Sequence, residues 1–554
     1  MEQGLKGLMM DEPLLISGLI TRAERHHGDT QIVSRGAGGE IHRYDYASAH
    51  ARSRKLAQAL IRLGARPGDR IASLAWNGYR HFECYYAVSG MGAVMHTINP
   101  RLFPEQIAWI ANDAEDSLLF FEPGFLPLVE QLAPQLKSLR ACVLMGGREQ
   151  MPQSSSLSSI PRLLCYEDLL EQEDGNYQWP ALEETTASGL CYTSGTTGNP
   201  KGVLYHHRST LLHAMLTALP DMMNLSARDV VMPVVPMFHV NAWGLPYSCV
   251  LNGSKLVLPG QHLDGHSLYQ LFEAEGVTLS AGVPTVWAGL LAYLDANGKR
   301  FTRPPRVVIG GSACPPAMIK RFEDDYGVQV LHAWGMTEMS PIGTVCTLKP
   351  KHSDLDAGAR LALLAKTGRP HYGVEMKIVD GEGRELPRDG KAFGDLYVRG
   401  MVVLSGYFKG AGGNPMRDGW FPTGDVATLD GDCYMQITDR SKDVIKSGGE
   451  WISSIDLENI AVAHPAIAEA AVIGVAHEKW GERPLLVAVK KEGAKVTESE
   501  LLDFYEGKVA KWTRPDAVLF IEQLPHTATG KLSKLSLRQQ LKDYRLPGAG
   551  ADQA

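Results

Sequence analysis

Arg306-Val-Val-Ile-Gly-Gly-Ser-Ala-Cys-Pro-Pro-Ala-Met-Ile-Lys-Arg-Phe-Glu-Asp-Asp-Tyr-Gly-Val-Gln-Val-Leu-His332 holds one full cycle of a repeating pattern. Arg306 to Ile309 is a short β-branched run, Gly310 to Cys314 a turn, Pro315 to Tyr326 a helix opened by proline, and Val328 to His332 the next strand. Strand, helix and strand at this spacing predict a parallel sheet with crossover helices. In open sheets of that kind, ligands lie beyond the carboxyl ends of the strands. Gly310 to Cys314 and Trp334 to Pro341 are therefore expected as neighbours around one crevice.

The same rhythm appears earlier. Leu56, Leu60 and Leu63 recur at helical spacing, Gly64 follows as a stop, and Arg70 to Leu74 reads as a strand. Met151 to Pro161 and Lys409 to Asp418 are expected surface loops, rich in Ser and Pro or in Gly. After about residue 439 the texture changes to short strands such as Ala471 to Val475 and Leu485 to Val489, mixed with charged helices. At ~100–200 residues per domain, 554 residues hold a large body and at least one smaller domain. The expected division is 1–438, an α+β domain at 439–546, and a frayed, disordered tail at 547–554.

Composition removes several classes of function. Fifty-five Lys and Arg against 62 Asp and Glu give a net charge of −7, with 44% hydrophobic and 21% charged residues, so a basic nucleic-acid binder and a disordered chain are excluded. The eight cysteines are scattered singly without C-x-x-C, which argues against a zinc ribbon or disulfide scaffold and for reduced thiols in the cytoplasm. No segment reaches 18 apolar residues, and Leu14 to Ile20 lacks the basic flank of a signal peptide, so no transmembrane segment is expected. The pairs His26-His27 and His206-His207 cannot share a helix face and make poor metal sites.

Chemistry concentrates in Tyr192-Thr-Ser-Gly-Thr-Thr-Gly-Asn-Pro-Lys-Gly202. Backbone N–H groups freed by its glycines, the Ser and Thr hydroxyls and Lys201 form a cradle for a triphosphate. It lacks the Gly-Lys-Ser/Thr ending of a Walker A loop. No Gly-x-Ser-x-Gly elbow forms around Ser312, because Cys314 stands at the second glycine. Glu338, at a strand end, offers oxygen to a hard cation. Asp425, after an aromatic turn and Gly424, is expected on a tight bend, free to accept from a diol.

The ordered set of motifs resembles the adenylate-forming superfamily: acyl-CoA synthetases, luciferases and peptide-synthetase adenylation domains. Thr193 to Gly202 is similar to its phosphate loop, Pro236-Met-Phe-His-Val-Asn-Ala-Trp-Gly244 to its acyl-site motif, Gly310 to Cys314 to its adenine loop and Trp334-Gly-Met-Thr-Glu338 to its aromatic-Gly-x-Thr-Glu motif. Gly394 to Gly400, Asp418 to Asp425, Asp439 to Glu450 and Thr527-Ala-Thr-Gly-Lys531 complete the series. The resemblance spans residues 10 to 546 and implies an α/β fold with a large multi-sheet N-terminal body and a small mobile C-terminal domain.

It also implies roles. Lys201, Glu338, His239 and Lys531 form the catalytic set, and Thr193 and Glu338 bind Mg²⁺. Thr193, Ser194, Gly195, Thr196, Thr197, Gly198 and Lys201 hold phosphates. Val240, Trp243, Gly311, Ser312, Trp334, Gly335, Met336, Thr337 and Asp425 contact adenine and ribose, with Trp334 in place of the usual tyrosine. Arg440, Lys442, Lys446 and Trp451 are nucleotide contacts in one orientation or another. Asp439 is the hinge, and Ser447, Gly448, Gly449 and Glu450 line a pantetheine tunnel. His239, Trp243, Val283, Trp287, Gly310, Gly311, Gly335, Met336 and Met339 line an acyl pocket without a charged side chain, and His239 stands where amino-acid-activating relatives carry aspartate.

The expected activity is that of an acyl-CoA synthetase with ATP and CoA as co-substrates and a medium-chain carboxylic acid as substrate. A methylthiopropionate or other short or aryl acid ligase, a luciferase-type oxygenase, a carrier-protein-loading ligase and a degenerate nucleotide-binding regulator stand as alternatives. A homodimer is implied by the resemblance alone.

Overall fold

A computed structural model describes residues 5, 7–152, 160, 162–193, 199–447, 450–526 and 532–547, with the side chains of Glu450 and Trp451 left aside. Most of the expected Met151 to Pro161 loop, the tail beyond Pro547, and Lys531 lie outside these residues.

Strands such as Leu118-Leu-Phe-Phe121 and Ala141-Cys-Val-Leu144 are apolar at every position and buried at every position. Such runs require cover on both faces, which is the arrangement of a parallel sheet between helices. They belong to a seven-stranded sheet in spatial order 163–165, 141–144, 118–121, 70–74, 94–97, 187–193 and 201–206, parallel except for the last strand. A nine-stranded sheet runs 369–370, 342–345, 329–335, 306–309, 279–282, 230–233, 255–258, 31–35 and 41–45. Its five middle pairings, which join the six strands from 31–35 to 329–335, are parallel. Helices Ile16–His27, Tyr46–Arg62 and Tyr79–Gly90 share one core with both sheets, joining Ile71 and Met95 of one to Ile32 and Val231 of the other.

The opening stretch folds as read. Arg306–Ile309 pairs in parallel with the following strand, Val308 opposite Leu331, and a helix Pro316–Tyr326 crosses between them with Pro315 at its cap. The second strand is longer than expected, Gln329–Gly335, and carries the chain to the edge where Glu338 stands. Glu338 itself lies in a short 3-10 turn, Thr337–Met339.

One expectation is corrected. Asp425 lies within strand Phe421–Leu429 of a four-stranded antiparallel sheet, opposite Arg440, and not on a tight turn. Gly424, at φ 76°, bends the strand, while Phe421, Val426 and Ala427 stay buried and keep it in the sheet.

Beyond residue 440 a further sheet pairs Ile467–His477 with Gly481–Lys490 along their length, flanked by 445–447, 450–452 and 517–520. Two apolar clusters, around Val472 and around Ile473, fill its two faces with residues drawn only from 445–546. All eight cysteines are free. Among the described residues, no helix is long and apolar enough to cross a membrane.

Candidate active site

Strand Ala187–Thr193 pairs with Lys201–His206 so that Thr193 faces Lys201, which brings the two ends of the phosphate loop together. Ser194, Gly195, Thr196, Thr197 and Gly198, between them, lie outside the described residues. The Lys201 ammonium sits 4.8 Å from the ring centroid of Tyr407. On the other side of that residue, the Tyr407 hydroxyl donates to Oε1 of Glu338 at 2.8 Å. Two more bonds fix the Glu338 turn: Tyr205 donates its hydroxyl to the Thr337 carbonyl at 2.7 Å, and Leu404 N–H donates to the Glu338 carbonyl at 2.8 Å. Burial pushes the Glu338 carboxyl above its ordinary range, opposed by the Tyr407 hydroxyl and the charge of Arg440. Among the described residues no cluster of three metal-ligating side chains exists. A single buried carboxylate is nevertheless the donor set of a Mg²⁺ site completed by substrate phosphates and water, so the residues fit that ion.

Asp425, 2% exposed, is held from two sides. Trp334 Nε1–H donates to its Oδ2 at 2.9 Å, and Arg440 Nε lies 2.8 Å from its Oδ1. The Trp334 ring closes on Gly343, where a Cβ would come within 3.0 Å of it. Next to Arg440, Asp439 is buried, its Oδ2 accepting from both N–H and Oγ–H of Ser454 at 2.8 and 2.6 Å. Ser454 meets the buried ammonium of Lys534, which also pairs with Glu458 at 2.7 Å.

The apolar side of the crevice is built on an unusual backbone. Val240, Asn241, Ala242, Trp243 and Gly244 have φ of 45°, 54°, 49°, 57° and 80°, one turn of left-handed helix. For L residues this costs about 1–2 kcal/mol each. The turn aims Trp243 at Gly310, where a Cβ would fall 3.2 Å from the indole and 2.7 Å from the Ala333 carbonyl, so only glycine lets the ring approach. Gly335 is equally closed, against Pro341. His239, half-buried, precedes the turn, and Met336 and Met339 pack with Trp334. Val283 packs against the shared core of the two sheets. Trp287 is fully buried in a different cluster, with Phe322 and Val33, its ring against Gly282.

The region 19–408 matches the family model of AMP-binding enzymes, and 456–531 matches the C-terminal domain of AMP-binding enzymes. The chain belongs to this family. Among curated relatives, the AMP-binding enzyme is 55% identical to 3-methylmercaptopropionyl-CoA ligase of Ruegeria lacuscaerulensis over 97% of this chain and 99% of the relative. It is 53% identical to medium-chain-fatty-acid–CoA ligase of Ectopseudomonas oleovorans over 98% of each. Among solved structures it superimposes on an anthranilate CoA ligase in complex with anthranoyl-AMP with a TM-score of 0.85, at 25% identity, covering 96% of this chain and 98% of that one.

In this AMP-binding enzyme the structure thus brings Thr193, Lys201, Glu338, Trp334, Asp425 and Arg440 to one edge with Trp243 and Gly310. Gly311 and Ser312 follow directly on the same loop, with Ser312 exposed. Lys442 and Lys446 are exposed in the segment after Arg440, and Ser447 accepts from Arg483 at 3.2 Å. Lys531, Gly448 and Gly449, and the side chains of Glu450 and Trp451, lie outside the description. Tyr407, which stands between Lys201 and Glu338, was missed in the sequence. A tyrosine after Gly406 in an otherwise glycine-rich loop was the available signal.

Proposed function

We propose that this AMP-binding enzyme is an ATP-dependent acyl-CoA synthetase for medium-chain fatty acids. The observation that carries the proposal is the meeting of Lys201, Glu338 and Asp425 at one edge with the uncharged wall of Trp243 and Gly310. The first three serve phosphates and ribose; the wall suits an acyl chain without charge.

The substrate carboxylate attacks the α-phosphate of ATP, the α–β phosphoanhydride bond breaks, and acyl-AMP and pyrophosphate form. Negative charge develops on the transferring phosphate and on the leaving pyrophosphate, so fixed cations and donors lower the barrier more than an acid–base pair does. Lys201 supplies one such cation from the end of the phosphate loop. Glu338, with Thr193, would hold Mg²⁺, which would supply neutralising charge to the phosphates. Asp425 takes the ribose hydroxyls, and Lys531 bridges carboxylate and α-phosphate from the C-terminal part as a point charge. In the second reaction the CoA thiolate attacks the acyl carbonyl and AMP leaves, with the 439–546 domain turned about Asp439 so that 447–450 line the thiol's path. Lys531→Ala tests the first step: it should abolish most acid-dependent pyrophosphate release, and unchanged release sinks the assignment.

A second reading follows from the 55%-identical relative: activation of 3-methylmercaptopropionate. Acids from acetate to palmitate together with this thioether acid, scored by AMP formation, separate the two. A cytoplasmic homodimer completes the proposal, and light scattering on the purified protein tests the stoichiometry.

A further inference from the structure

L residues do not hold a left-handed turn unaided, so the turn at 240–244 needs an agent outside itself. Val240 is the most telling position, because a β-branched side chain at φ 45° is an outlier in any fold. Two buried side chains from the other sheet's side of the core grip this segment. Asn77 donates to the carbonyls of Pro233 and Val235 at 2.8 and 2.9 Å and accepts from Met237 N–H at 2.7 Å, fixing the approach to the turn. Tyr85, fully buried in helix Tyr79–Gly90, reaches the turn itself. Its hydroxyl donates to the Met237 carbonyl at 2.5 Å and stands 3.2 Å from Oδ1 of Asn241. That same Asn241 oxygen lies 3.7 Å from Cys191 Sγ, on the strand that ends at Thr193.

We propose that Tyr85 is a positioning residue for the acid: its hydroxyl keeps 240–244 left-handed and thereby fixes the wall that Trp243 presents over Gly310. The proposal rests on the acyl-activating reading above. The contacts holding Glu338 and Asp425 run through Tyr407, Tyr205, Trp334 and Arg440 and do not involve Tyr85, so its loss reaches the nucleotide only where Val240 and Trp243 meet it. It also makes a distinctive demand on the backbone. If the hydroxyl acts by overcoming the reluctance of L residues to stay left-handed, a glycine inside the turn makes it dispensable. Ala242, at φ 49° and with only a methyl group to lose, is the position to change.

Tyr85→Phe, Ala242→Gly and the double variant are compared with the full-length wild type in KM for octanoate, KM for ATP, kcat and melting temperature. A lost hydrogen bond of ordinary strength corresponds to about three- to tenfold in an equilibrium. Tyr85→Phe should raise the octanoate KM by about that factor and the ATP KM by clearly less, with kcat within about twofold, and Ala242→Gly in the same chain should recover most of the loss and raise the melting temperature. An unchanged octanoate KM in Tyr85→Phe, or a double variant worse than Tyr85→Phe alone, overturns the proposal. Should the wild type activate no acid at all, the functional reading fails separately, and the melting temperatures still decide: a double variant melting below Tyr85→Phe shows that Tyr85 does not hold the turn.

Discussion

The indole N–H of Trp334 donates to Oδ2 of Asp425 at 2.9 Å, joining the carboxyl end of a parallel strand to the middle of an antiparallel one. Where tyrosine was the expected residue, tryptophan here orients the carboxylate proposed for the ribose. Hydrogen bonds to charged groups contribute about 1.5–3 kcal/mol. Trp334→Phe should therefore raise the KM for ATP about tenfold or more while leaving the KM for the acid close to wild type, as steady-state kinetics will report.

Tyr407→Phe removes the hydroxyl from Glu338 and leaves the ring beside Lys201. Loss of a group that orients a metal ligand typically costs 10–100-fold in metal affinity or activity. Acid-dependent pyrophosphate release should fall by about that factor and recover partly at high Mg²⁺. Calorimetric titration of ATP, with and without Mg²⁺, should show the defect only in the presence of the ion.

Gly310→Ala places a methyl group against the Ala333 carbonyl and the Trp243 ring. Overpacking of this kind costs about 1–3 kcal/mol. The ring is the more mobile neighbour, so the acyl crevice shortens, and the preferred acid in a chain-length series should move to shorter chains.

Burial and the neighbouring His371 push the His213 imidazole down to about 3, and its Nε2 accepts from Ile342 N–H. The unfolded imidazole takes its proton near 6.5, so between pH 6.5 and 3 the unfolded chain binds more protons than the folded one. The contribution of neutral His213 is complete above pH 6.5 and is lost as pH falls towards 3, by up to ~1.4 kcal/mol per pH unit. Melting temperatures from pH 7 to 4 should fall less steeply in His213→Gln than in wild type.

What the sequence discloses and what it hides follow from range. The βαβ unit at 306–335 is a local pattern, written in glycine, proline and β-branched spacing, and it was legible as such; of the phosphate loop the structure describes the two ends, Thr193 opposite Lys201, and of the magnesium site the place of Glu338 at a strand end. Asp425 was misplaced on a turn because Gly424 reads as a turn residue, and only packing of Phe421 and Val426 shows that the strand continues through it. The partners of Tyr407 and Tyr85 lie 69 and 152 positions away, so the glycine-rich loop could flag Tyr407 but not its contact with Glu338, and nothing local flags Tyr85. The left-handed turn contradicts the preference of Val240, Ala242 and Trp243, and Asn241 is the one residue among them that tolerates it, so nothing short of the tertiary contacts could have disclosed it. Trp287, expected in the lining of the acyl pocket, is fully buried among Phe322 and Val33, where helix Pro284–Ala296 turns it, and that packing too is set by residues distant in the chain.

Arg440 occupies one oxygen of the carboxylate that a ribose diol would use, and its own neighbour in the chain is Asp439, the proposed pivot. A ribose diol at Asp425 would share that carboxylate with the Trp334 indole and the Arg440 guanidinium, which its four acceptor sites allow. Linkage makes the sharing reciprocal: whatever a bound sugar does to the guanidinium's hold, moving the guanidinium does to the sugar's.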